Sequence, residues 1–294
     1  VSYGNQIDLR LEDYLEYLAD DDKISLIACY VEDIKDVNKF LKALKRTTAK
    51  KPVIILKGGK TELGSKAAAS HTGAMASNYT IWAAAVRQHG GLLVDNFEEL
   101  MNLAMLGTAQ RFPRGRRVGF MGAGGGISVL FSDLAAASGV LLPELSPRTQ
   151  RMISEKIMGV NTSTTNPVDL GAFGFDFNVM LHTMKALNED DNIDVIVPYF
   201  SVEYIMHAEL FLKVTNSAHS IMEMARQIKK PVIPVLSCFL ENDLEAERVR
   251  ISTFNALRKA GFPVYPTIQE ALYVIETYFE WAEKRPRRGE KNAA

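Results

Sequence analysis

The chain predicts an α/β fold: two tandem doubly wound domains, each built on a parallel sheet. Two observations carry that expectation. Short apolar runs of strand length alternate with longer segments whose apolar residues recur at helical spacing. The alternation also pauses once, at the Arg- and Pro-bearing segment 111–117, and then starts again. At 294 residues there is room for two cores. The domains are expected at residues 1–112 and 113–294, the first truncated at its N-terminus because Val1 opens inside what reads as a strand end.

In the first domain the spacing predicts a helix over 9–18, stopped by the turn at Ala19-Asp-Asp-Asp22, and an apolar strand over 25–31. Val37, Phe40, Leu41 and Leu44 make one face of a helix over 37–47. Residues 52–57 read as a buried strand that opens into a loop running to His71, and a helix follows around 79–88. A short strand at 92–94 and a helix at 97–110 close the unit. The second domain repeats the grammar, with a strand at 118–121, a glycine turn at Gly122-Ala-Gly-Gly-Gly126, and a helix over 127–138 ended by Gly139. Further strands are expected at 193–198, 231–236 and 263–265, with helices around 178–187, 217–228, 245–259 and 268–283. Both units are of flavodoxin-like size. They also close alike: residues 90–100 and 261–272 each place a helix-ending glycine, a short strand and an acidic helix start in a row.

Composition narrows the function classes. Hydrophobic residues are 47% and charged ones 23%, with a formal net charge of −1. No nucleic-acid or membrane-surface partner is expected from that balance. The basic run Lys284-Arg-Pro-Arg-Arg288 reads as a solvated tail. Cys29 and Cys238 are far apart in apolar runs and show no metal spacing, so buried thiols of a reducing cytoplasm are expected, with no metal site. No run reaches membrane-spanning length.

The candidate chemistry gathers at the ends of the strands. The Gly-, Lys- and Ser-rich segment after Lys57 presents His71 between Ser70, Thr72 and Gly73, small neighbours that leave an imidazole accessible beside a possible anion site. A phosphoryl carrier needs that placement; a loop histidine bonded to backbone is the plain alternative. Glu32, at the end of the strand over 25–31, sits where its carboxylate could orient the imidazole or simply begin a helix. The turn at 122–126 offers bare amides at a helix start, for an anion or for close packing alone. It is neither a Walker A loop nor a full dinucleotide fingerprint. Asn166-Pro-Val-Asp169 could line the same edge or form a capped turn. His89, His182, His207 and His219 lack partners at ligand spacing and read as structural or solvent-facing.

Taken in order, these pieces resemble the NDP-forming acyl-CoA synthetases, relatives of succinyl-CoA synthetase, over nearly the whole chain. The resemblance rests on Ser2-Tyr-Gly-Asn5, on Leu11-Glu-Asp-Tyr-Leu-Glu-Tyr-Leu18, on Tyr30-Val-Glu-Asp-Ile34, and above all on Lys57-Gly-Gly-Lys60 with Ala67-Ala-Ala-Ser-His-Thr-Gly-Ala74. It implies that His71 is a phosphohistidine carrier and Glu32 its partner. It further implies that Gly124, Gly125 and Gly126 cradle the phosphate, with Ser70, Thr72 and Gly73 around the histidine. The activity implied is an acid–CoA ligase that moves a phosphoryl group between an acyl phosphate and ADP or GDP. Nothing resembling the family's CoA-binding domain precedes Val1, and no ATP-grasp domain is recognisable. The chain is therefore expected to correspond to the two central ligase domains, completed by those parts as domains or subunits of a homo- or hetero-oligomer. CoA, the nucleotide and Mg²⁺ would be handled there, and no tightly bound cofactor is expected here. Two other classes stay open: a non-catalytic binding module that keeps the fold, and a flavodoxin-like protein holding a nucleotide or flavin at Gly122–Gly126.

Overall fold

Val53–Lys57 is buried at all five positions, which is what the middle of a parallel sheet demands of both faces. The computed structural model of the chain, which describes residues 1–72, 78–212, 227–240 and 242–284, places this strand (β2) between β1 (Ile27–Val31) and β3 (Leu92–Val94). All three run parallel, with Ile27 opposite Val53 and Ile54 opposite Leu92. Around them lie α1 (Leu11–Ala19), α2 (Val37–Thr48), α3 (Glu62–Thr72), α4 (Tyr79–Gln88) and α5 (Phe97–Met105). Leu11 and Leu15 of α1, Phe40 and Leu44 of α2, and Val86 of α4 pack with Val31, Val53 and Ile55 in one core. Side-chain caps start three of the helices: Asp36, Asn78 and Asn96 accept from Lys39, Ile81 and Glu99 main-chain N–H groups.

The stretch from Gly58 to His71 corrects an expectation. Read as a loop for its Gly, Lys and Ser, it is helical from Glu62 to Thr72, and His71 stands at the end of α3 rather than ahead of a helix start. Alanines 67–69 favour helix strongly. Thr61 Oγ1 accepts from Gly64 N (3.1 Å), and Lys66 pairs with Glu62 one turn away (2.8 Å). The side chains of Ser70, His71 and Thr72, and Gly73 entirely, lie outside the described residues.

In the second sheet the order is β5-β4-β6-β7, again parallel, from β4 (Val118–Gly122), β5 (Val168–Asp169), β6 (Val195–Ser201) and β7 (Val235–Ser237). Its helices are α6 (Gly125–Ser138), α7 (Pro147–Ser154), α8 (Phe177–Glu189), α9 (Val202–Leu212), α10 (Leu244–Lys259) and α11 (Ile268–Glu283). Phe120 and Phe131 are fully buried and stack at 3.9 Å between ring centroids, fastening α6 to β4. Two compact units result, Val1–Gly107 with Lys284, and Thr108–Glu283. Residues 108–112, read as the end of the first domain, pack with the second: Gln110 donates through its main chain to Gly261 O (2.9 Å) and through its side chain to Ala260 O (2.8 Å).

Strand 231–236 contracts to β7 plus a bridge from Val232 to Ile196, and 263–265 to one bridge from Tyr265 to Val235. Helices α7 and α9 were not anticipated. The first carries a legible start, with Ser146 accepting from Thr149 N and Pro147 at the first helical position. The second follows β6 with no intervening turn residue. Most of the helix expected at 217–228, His219 included, lies outside the described residues. Among the described residues no helix is long and apolar enough to cross a membrane.

Asp190, almost fully buried, ties α8 to the start of α7 by accepting from Ser146 N (2.8 Å) and Asn192 N (2.9 Å). Burial pushes its carboxyl up, but hydrogen bonds from Thr149, Asn192 and Ser146 outweigh that and hold it below the usual carboxylate range. Its contribution is therefore present above the unfolded value near ~3.9 and lost as pH falls through the folded one. An Asp190→Asn chain is expected to show a flatter decline of urea midpoints below about pH 4 than the native chain.

Candidate functional site

Each parallel sheet offers its carboxyl edge, the place where open α/β sheets hold ligands. In the first unit that edge is formed by the ends of β1 and β2. Glu32 follows Val31 directly, and its Oε1 accepts from the Tyr30 hydroxyl at 3.0 Å. Lys57, buried at the end of β2, donates from Nζ to Glu32 O (2.7 Å) and Gly58 O (2.5 Å), and its ammonium lies 5.8 Å from the Trp82 ring. Desolvation lowers the Lys57 pKa from its ordinary value. Lys60 reaches Val94 O (3.0 Å) and Asp95 Oδ1 (2.8 Å), so both lysines of the Lys57-Gly-Gly-Lys60 run brace the strand ends. Neither the tasks of these lysines nor the bond from Tyr30 to Glu32 is legible in the motifs that contain them.

In the second unit β4 ends in the glycine turn, and α6 begins at Gly125 with Gly124 as its N-cap. Gly124 has φ +114°, a backbone region that side chains avoid, so glycine is required there. Asp169, at the end of β5, holds the turn: its Oδ1 accepts from Gly124 N (2.9 Å) and from Gly171 N (2.8 Å). A Cβ on Gly125 would lie 3.2 Å from Asp169 Oδ2. These groups border an open pocket of ≈ 530 Å³, walled on its other side by Phe175 and Tyr204, whose rings meet edge to face at 5.1 Å.

Residues 1–106 match the family model described as the succinyl-CoA ligase-like flavodoxin domain. The alpha subunit of ADP-forming acetate–CoA ligase II from Pyrococcus furiosus is 34% identical over 267 residues, 90% of this chain and 55% of that one. Residues 1–106 are a succinyl-CoA ligase-like flavodoxin domain, in a chain similar over most of its length to subunits of ADP-forming acetate–CoA ligases. The alpha subunit of ligase I from the same organism is 29% identical, covering 99% of this chain and 60% of its own. A solved Pyrococcus horikoshii structure superposes with a TM-score of 0.76 at 26% identity, over 96% of this chain and 58% of that chain. The chain thus spans about half the length of the curated relatives it matches.

Beside this likeness, the expected site residues divide. Gly125 and Gly126, in the first turn of α6, have N–H groups that the helix itself cannot pair. Gly124 differs from them, because its N–H is given to Asp169 Oδ1. Asp169 borders the pocket. Asn166 does not. Its Nδ2 donates to Val118 O (2.8 Å) and Pro143 O (3.1 Å), while Oδ1 accepts from Phe120 N (3.1 Å). The side chain thereby acts as one more rung beside β4 and brings β5 alongside it. An Asn166→Ala chain is expected to lose about 2 kcal/mol or more of stability by leaving these strand groups unmatched, measurable by urea unfolding.

His89 Nδ1 lies 2.7 Å from Ala85 O at the end of α4, and His182 Nε2 lies 2.6 Å from Met152 O. His207 packs against Phe175 at 5.7 Å between centroids. Among the described residues no group of His, Cys, Asp or Glu could hold a metal, and both cysteines are free thiols.

Proposed function

We propose that this chain carries the phosphoryl relay of an ADP-forming acyl-CoA synthetase, with His71 as carrier. A nitrogen of the neutral imidazole attacks the phosphorus of an acyl phosphate. The N–P bond forms, the P–O bond to the acyl oxygen breaks, and the carboxylate leaves. Phosphohistidine then passes the group to ADP or GDP, regenerating the imidazole; the reverse direction makes acyl-CoA from acid, CoA and nucleoside triphosphate. Histidine suits both halves, since its neutral nitrogen is nucleophilic near pH 7 and the N–P bond is easily broken. Glu32 orients the ring, and the Gly125 and Gly126 amides hold phosphoryl oxygens with dipoles already in place. CoA and the Mg²⁺-bound nucleotide are held by a CoA-binding domain and an ATP-grasp domain or subunit that act with this chain.

The observation that carries the reading is the match of residues 1–106 to the family's ligase domain, a span that holds two histidines. One of them, His89, has its ring fastened to the end of α4, which leaves His71 for the chemistry. The test is transfer from γ-labelled ATP with Mg²⁺ and the ATP-grasp subunit of a relative. Acid-labile, alkali-stable label on the peptide containing His71 is the expected result. An unlabelled chain beside a full-length relative that labels normally overturns the relay and favours a non-catalytic binding module.

A further inference from the structure

We propose that Tyr30 is a positioning residue that aims the Glu32 carboxylate, a role that rests on the reading of Glu32 as the partner of His71. Four observations converge on it. Tyr30 and Glu32 stand two residues apart at the end of β1, a spacing that puts both side chains on one side of the extended chain. The phenol closes the gap with a hydrogen bond of 3.0 Å to Oε1. The Tyr30 ring is itself held by stacking on Phe97, at 5.5 Å and 29°, so the hydroxyl arrives from a fixed direction. Gly58 then clears the ground beneath: a Cβ there would fall 2.5 Å from the Tyr30 hydroxyl and 3.3 Å from Glu32 Cγ. That glycine has an ordinary backbone conformation, so the bare surface it gives the Tyr30–Glu32 pair accounts for it.

The opposite end of Glu32 is held as well. Lys57 Nζ pins the Glu32 carbonyl oxygen at 2.7 Å, and Gly58 N donates to Val31 O at 2.9 Å. With the main chain clamped and Oε1 engaged, the carboxylate plane is held. A glutamate otherwise samples several rotamers, and only a fraction of them would meet a ring nitrogen. Burial and the neighbouring carboxylate raise the pKa of the phenol, which keeps it a donor at neutral pH. Tyr30 touches neither substrate nor phosphoryl group; it acts through Glu32.

The test is a cycle of Tyr30→Phe, Glu32→Gln and the double variant in the complete chain with an ATP-grasp subunit, reading the single-turnover rate of His71 labelling. Phenylalanine keeps the ring on Phe97 and removes only the hydroxyl. Expected is a fall of about tenfold in rate for Tyr30→Phe with the nucleotide KM unchanged, shrinking to less than about twofold in the Glu32→Gln background. A general structural role would give the same factor in both backgrounds, and that result overturns the proposal, as does a change within twofold in the native background. The carboxyl ¹³C resonance of Glu32, read on the same proteins without turnover, separates this idea from the relay itself. If it moves on Tyr30→Phe, the hydroxyl holds the carboxylate even in a chain whose His71 takes no label; if it stays, the proposal falls.

Discussion

An alanine at position 71 is expected to leave a chain that unfolds at the native temperature and takes up no phosphoryl group. The two halves of that result have separate causes. Position 71 is the penultimate residue of α3, and alanine is the better helix former by up to about 0.7 kcal/mol, so helix propensity favours the substitution. On the proposed relay the chemistry has no detour, because every turnover would pass through one nitrogen. Removing a covalent carrier costs on the order of a thousandfold or more, where a positioning residue costs tens. The described histidines offer no substitute, since His89 and His182 have ring nitrogens at carbonyl oxygens and His207 lies against Phe175. Label incorporation and thermal unfolding on the same preparation check both halves together. A chain that still labels at a native rate puts the carrier elsewhere; one that loses its fold with its label makes His71 a structural residue.

The sequence made the sheets legible and left their edges dark, for a reason visible in particular residues. Val53–Lys57 announces a central strand because burial on both faces needs an unbroken apolar run, a local property. Asp36, Asn78 and Asn96 announce helix starts because a cap reaches only three residues ahead. His71, Glu32 and the glycine turn were singled out through a family motif and strand ends, again local patterns. Asn166 and Asp169 belong to a different kind of information. Asn166 bonds to Val118 across 48 positions and Asp169 to Gly124 across 45, partners that meet only once β5 lies beside β4. The motif containing them could be noticed, but its division of labour, one residue a sheet rung and the other a loop clasp, follows from topology alone. Tyr30 was hidden more simply. A tyrosine in a strand reads as core filling, and nothing in its neighbours shows that Gly58, just past the end of β2, has been kept bare under its hydroxyl. The helix over Glu62–Thr72 was lost to composition, where glycine and serine outweighed a run of alanines in the reading but not in the chain.

Asp169→Ala is expected to damage stability and transfer together, which sets it apart from His71→Ala. One carboxylate oxygen receives two main-chain N–H groups, from Gly124 at 2.9 Å and Gly171 at 2.8 Å. Bonds to a charged acceptor contribute about 1.5–3 kcal/mol each when buried. Asp169 is only partly buried, so water takes over some of the loss, and about 2–3 kcal/mol in all is the fitting scale. The carboxylate also faces the positive end of α6, which adds a few tenths of a kcal/mol or more. Once the clasp is gone, Gly124 has no reason to keep φ +114°, and the first-turn amides of Gly125 and Gly126 lose their fixed direction. Electrostatic stabilisation by amides depends on their being aimed in advance, so transfer should fall by about a hundredfold. Asp169→Asn separates the two contributions. Its amide oxygen can still accept from Gly124 and Gly171, which keeps the turn and holds stability within about 1 kcal/mol. It removes a negative charge lying where a Cβ of Gly125 would be 3.2 Å away, so inorganic phosphate should bind more tightly to the asparagine chain than to the native one. Calorimetric titration with phosphate and urea unfolding of both variants decide the matter. If phosphate binds the asparagine chain more weakly, the carboxylate is serving the anion through something other than the clasp, and the Gly125 and Gly126 amides are not where the phosphoryl group rests.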